Sequence, residues 1–133
     1  MLRMATVLSA VAVLAGCATA ADPLALPTEP LWGYTAPTSS GAEELVITWD
    51  RVACNTLRAR YARRAAAPVY LAECRQLTLA PGNGYWIVPA ADVDGYLGAL
   101  TREECEATGR RQSRDYGTGA RVCQSVQVDF KER

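Results

Sequence analysis

Near its end the chain alternates: Ala120, Val122, Val126, Val128 and Phe130 take one side, and Arg121, Cys123, Gln127 and Asp129 take the other. A period of two is that of a half-buried strand. Leu45-Val46-Ile47-Thr48-Trp49 is β-branched and aromatic and predicts another strand. A rival reading starts a helix at Ser40, which forms a capping-box pattern with Glu43. Beyond Asp50 the period changes. Cys54, Leu57, Tyr61 and Ala65 fall on one helical stripe, so a helix is expected from Arg51 to about Ala66, with Asp50 as its cap and Pro68 beyond its end.

Val69–Ala80 reads as a strand, Pro81-Gly82-Asn83-Gly84 as a tight turn and Tyr85-Trp86-Ile87-Val88 as the return strand of a hairpin. Asp92–Leu100 reads as a loop or short helix. Thr101-Arg102-Glu103-Glu104 is a capping box opening a second helix, which Gly109 should keep short. Tyr116–Gly119 reads as a loop. The expected fold class is α+β, an antiparallel sheet of about four strands carrying two helices.

Two stretches share an order. Asp50-Arg51-Val52-Ala53-Cys54 aligns with Thr101-Arg102-Glu103-Glu104-Cys105, each a cap, an arginine and then a cysteine. Each continues to a second cysteine, Cys74 or Cys123, and then to two alternating apolar positions, Leu77 and Leu79 or Val126 and Val128. This suggests a duplicated helix–strand unit in which the helix is clipped to the strand that follows. Cys54, Cys74, Cys105 and Cys123 permit three pairings. The repeat favours Cys54–Cys74 with Cys105–Cys123. A four-thiolate zinc site lacks the close C-x₂-C spacing.

The N-terminus is of another kind. Arg3 precedes an apolar run from Met4 to Ala15, which ends in Leu14-Ala15-Gly16-Cys17. The run is short of the roughly 20 residues of a spanning helix. It resembles the signal and lipobox of bacterial lipoproteins. That resemblance implies removal of residues 1–16, a lipidated Cys17 and, with Ala18 rather than Asp next, a place on the periplasmic side of a Gram-negative outer membrane. An ordinary signal cut after Ala18 or Ala20 is the alternative. Pro23, Pro27, Pro30 and Pro37, followed by Thr38-Ser39-Ser40-Gly41, make residues 17–42 a tether. The globular domain is then 43–133. Leu31-Trp32-Gly33-Tyr34 is too aromatic for a plain spacer and should fold back on the domain or dock on a partner.

Charge and chemistry narrow the function. Fourteen basic residues balance fourteen acidic ones, which disfavours nucleic acid as a partner. The chain holds no histidine, which removes His-based triads, proton shuttles and metal sites. Asp92-Val93-Asp94-Gly95 resembles the middle of a calcium loop, but Ala90 and Thr101 stand where its first and last ligands belong. Arg51, Arg58, Arg60, Arg63 and Arg64 scatter around a helix and read as solvated. Arg110, Arg111 and Arg114 could meet Arg121, with Glu103, Glu104 and Glu106 offsetting them. Asn83, Tyr85 and Trp86, with Trp32 and Tyr34, form a candidate binding surface of the kind that stacks on sugars. No acid pair stands out for glycan hydrolysis, and neither cofactor nor metal is implied. The leading expectation is a lipid-anchored, non-enzymatic accessory subunit with an envelope protein partner. A small binding or inhibitor module against a lytic enzyme, protease or glycan comes second, and a carboxylate-based cell-wall hydrolase third.

Overall fold

In the computed structural model the described residues are 25–38, 41–65, 71–119 and 121–132. The leader and Cys17 lie outside them. The elements follow in the order β1 (Leu31–Pro37), β2 (Glu43–Thr48), α1 (Arg51–Arg64), β3 (Arg75–Ala90), β4 (Gly95–Ala99), α2 (Arg102–Tyr116) and β5 (Gln124–Phe130). All pairings are antiparallel. β1 pairs with β2, β2 with β4, β4 with the second half of β3, that half with β5, β5 with the first half of β3, and the first half with β1. The five strands therefore close into a small barrel. Leu31, Leu45, Ile47, Leu77, Leu79, Ile87 and Val126 fill its interior. The opposite faces of β1, β2, β4 and late β3 present Tyr34, Val46, Val88, Leu97 and Ala99 to a second core beneath the helices.

Four expectations are corrected. Leu31–Pro37, assigned by its prolines to the tether, is a barrel strand. Pro30 precedes the strand and Pro37 is its last residue, so neither removes a ladder N–H from its middle. Leu26 packs on the inner core as well, so the folded domain begins well before Glu43. In place of the hairpin expected over 69–88, Arg75–Ala90 is one bent strand, β3, while residues 71–74 are irregular and 69–70 lie outside the described residues. Residues 82–84 do not reverse the chain: Val126 of β5 pairs with both Pro81 and Tyr85, and the Ser125 hydroxyl donates to the Gly82 carbonyl at 2.6 Å. Within Asp92–Leu100, Gly95–Ala99 is strand β4. Helix α2 runs to Tyr116 straight through the buried Gly109, and stops at Gly117, whose φ of 65° is left-handed.

The helices start where expected. The Asp50 carboxylate accepts from Ala53 N at 2.7 Å, and the Thr101 hydroxyl from Glu104 N at 3.2 Å. Cys54–Cys74 and Cys105–Cys123 are the disulfides, with Cα separations of 6.1 and 6.2 Å. Each clips the first turn of a helix to the segment entering the next strand.

The register extends the repeat to a complete β-β-α-β unit. β1, β2, α1 and early β3 correspond to late β3, β4, α2 and β5. Trp32↔Thr48, Tyr34↔Val46 and Ala36↔Glu44 in one hairpin match Trp86↔Ala99, Val88↔Leu97 and Ala90↔Gly95 in the other. Leu31↔Leu77, Trp32↔Gln76 and Gly33↔Arg75 match Tyr85↔Val126, Trp86↔Ser125 and Ile87↔Gln124. Val46 pairs with its own counterpart Leu97, and Leu79 with its counterpart Val128. An approximate two-fold axis therefore passes through both pairs. Side chains keep it too: the guanidinium of Arg51 lies 5.4 Å from the ring centroid of Trp32, and that of Arg102 lies 5.4 Å from that of Trp86.

Candidate functional site

Helix α1 packs on β1 and β2, and α2 packs on β3 and β4. Between them lies an open cleft of about 500 Å³. Its floor holds Val46 and Leu97, so it sits on the two-fold axis. Arg60 of α1 and Arg111 of α2 line it from the two sides and are counterparts, each at the same offset from its helix cysteine. Tyr61 and Gln112 are counterparts of different chemistry that do the same job. The Tyr61 hydroxyl donates to the Pro37 carbonyl at 2.6 Å, and the Gln112 side-chain oxygen accepts from Ala91 N at 2.8 Å. Each braces the turn of its own hairpin and fixes one wall of the cleft.

The two-fold is broken in the cleft's polar groups. Glu44 of β2 lies 3.6 Å from Arg111, and its side chain is only 19% exposed. Burial raises its pKa from the ordinary value; Arg111 pulls it down and Asp92 pushes it up. Tyr34 is buried on the floor, and burial, aided by the charge of Glu44, pushes its phenol up to about 12. At neutral pH Tyr34 therefore keeps its proton. Arg64 faces this space where its counterpart Asp115 does, and Tyr116 adds a third phenol. Cations, carboxylates and phenols thus surround a shallow apolar floor.

Comparison with known proteins adds nothing to this geometry. No family model, curated protein or solved structure matches the chain. Among the described residues no group of His, Cys, Asp and Glu is placed to hold a metal ion, and no helix is long and apolar enough to cross a membrane.

The residues proposed from sequence as a binding surface do not share one. Tyr34 is on the cleft floor. Trp32 and Trp86 are two-fold counterparts, each partly buried under its arginine. Tyr85 packs on the inner core, and Asn83 is exposed at the bend of β3. Asp94 accepts a hydrogen bond from Trp49 Nε1 at 3.1 Å, as a polar turn residue does. The arginines divide by role. Arg58 is an internal strut, donating to the Leu71 and Ala72 carbonyls, while Arg60 and Arg64 face the cleft. Sequence reasoning did not single out Glu44, Asp92 or Tyr116 for the cleft. The repeat alignment could have flagged Arg60 with Arg111.

Glu44 gives the cleft a measurable pH signature. A carboxyl whose folded pKa is raised favours folding below its unfolded pKa, and that advantage is lost as pH rises through the folded value. Glu44→Gln is therefore expected to raise Tm at pH 7 and to leave Tm at pH 3.5 unchanged. Thermal unfolding at both pH values checks this; equal shifts at both would contradict it.

Proposed function

We propose that the chain is a periplasmic lipoprotein held at the outer membrane through Cys17, whose domain serves as a non-enzymatic subunit of an envelope complex and seats a partner protein in the cleft between α1 and α2. The pairing of all four cysteines of the domain into two disulfides carries this reading, because such bonds persist in oxidising compartments and small exported domains depend on them. The lipobox resemblance supplies the anchor. The cleft supports a protein partner: charges of both signs and three phenols around a shallow floor suit a mixed polar surface.

Metabolic labelling with a palmitate analogue tests the anchor. The wild-type chain should be labelled and sediment with membranes, and Cys17→Ser should not be labelled. A photo-crosslinking residue at Arg64 tests the cleft in intact cells. A single dominant protein adduct, absent when the same residue is placed at Thr78 on the exposed side of β3, is the expected result. Labelling of the Cys17→Ser chain, or adducts indistinguishable between the two positions, would overturn the reading.

A further inference from the structure

The two-fold allows each site in one repeat to be compared with its mate, and one comparison is unequal. In repeat 1, Arg58 fills the space between α1 and the segment entering β3. Its Nε donates to the Ala72 carbonyl at 2.7 Å and its Nη2 to the Leu71 carbonyl at 2.8 Å. The counterpart of Arg58 is Gly109, and the counterpart of Ala72 is Arg121. With no side chain at Gly109 the space opens into a pocket of about 340 Å³ beside the Cys105–Cys123 bridge. A Cβ built on Gly109 would lie 3.7 Å from the Arg121 carbonyl oxygen, so the pocket reaches the backbone that Arg58 seals in the other repeat.

The residues around the opening have changed in one direction. Ala59 is replaced by Arg110 and Ala72 by Arg121, and both arginines line the pocket. Repeat 1 has one guanidinium inside a filled slot; repeat 2 has two arginine residues lining an open one. The remaining charges largely cancel, because Arg102 Nε is held by Glu106 at 2.9 Å. Arg110 and Arg121 make no ion pair among the described residues. The Ser113 hydroxyl donates to the Thr118 carbonyl and so holds the loop that follows α2 against this helix.

We infer that the Gly109 pocket is a binding site for a compact oxyanion, the phosphoryl or carboxylate group of a small ligand or headgroup, held by Arg110 and Arg121. Planar guanidinium forks match such groups with paired charge-assisted hydrogen bonds. The volume admits a small ligand at the low end of the usual range. The site is separate from the cleft between the helices, and it does not depend on what that cleft binds.

The test is an amide-resolved NMR titration of the full chain, disulfides intact, with inorganic phosphate and with acetate. Saturable shifts at Gly109, Arg110 and Arg121 are expected. Arg110→Ala and Arg121→Ala should each weaken binding about tenfold. Gly109→Arg restores the arrangement of repeat 1; it should abolish the shifts while the protein stays folded, since a Cβ there meets its neighbours only at ordinary van der Waals distances. Titration with soluble short-chain phosphatidylglycerol or phosphatidylcholine separates the sources. Shifts at Arg110 and Arg121 with the former alone, lost in Gly109→Arg, assign a lipid headgroup, and shifts with free anions but with neither lipid assign a soluble ligand. The absence of saturable shifts with either anion, shifts that survive Gly109→Arg, or shifts centred on Arg60 and Arg64 would overturn the site.

Discussion

Replacing Cys105 and Cys123 together by serine is expected to lower the unfolding free energy by about 3 kcal/mol. The bridge closes a loop with a sequence separation of 18. Cutting it frees the unfolded chain and unpins α2 from the entry to β5. Cys105 is itself buried in the core beneath the helices, so serine adds the cost of a polar atom in an apolar site. The same change at Cys54 and Cys74 should cost a similar amount, the separation there being 20. Small domains keep only about 5–15 kcal/mol in all. Loss of both bridges should therefore leave the chain largely unfolded at 37 °C. Urea unfolding followed by circular dichroism measures each step. A loss below about 1 kcal/mol for either single bridge would mean that the barrel alone sets the stability.

The second large effect is expected at Gly95, where β4 begins. A methyl group there would overlap the Ile47 carbonyl oxygen, sit 2.8 Å from the Ile47 carbonyl carbon and lie 3.1 Å from the Thr48 Cα. These are backbone atoms of the paired strand β2, and no side-chain rotation relieves them. Gly95→Ala should therefore cost about 3 kcal/mol, the upper part of the range for overpacking. Gly119→Ala is the control, since nothing lies within 4 Å of a Cβ there, and its effect should stay within about 0.5 kcal/mol. Equal effects at the two positions would refute the account of the β2–β4 contact.

What was legible in the chain followed from local chemistry. Asp50 and Thr101 cap their helices because their side-chain oxygens reach the first-turn amides, a fact of sequence spacing alone. The disulfide pairing was legible because the repeat set two similar clips in a row, with separations of 20 and 18. β4 was hidden by its composition: Gly95 and Gly98 have poor strand propensity, yet Gly98 is needed where a Cβ would press on Leu45 and Ile87. β3 was hidden by turn chemistry. Pro81-Gly82-Asn83-Gly84 has the composition of a hairpin loop, but a Cβ on Gly82 would lie 3.1 Å from the Gln127 Cβ, and one on Gly84 3.3 Å from the Val126 carbonyl oxygen. The small residues there let the chain pass close to β5. The cleft could not be read locally, since it gathers Glu44, Arg60 and Arg111 from three separate elements.

The shared strand also sets a timetable. β5 is the last of the described strands, and both halves of β3 need it as a partner. The barrel cannot close until residues 124–130 have emerged. Cys54 and Cys74 are both available well before then, whereas Cys123 arrives only with the closing strand, so the first bridge can form while the second must wait. During that interval β3 exposes unpaired edges, the usual template for pairing between chains. A chain stopped short of Phe130 would be held in that state, and the last seven-residue strand ends its exposure to aggregation.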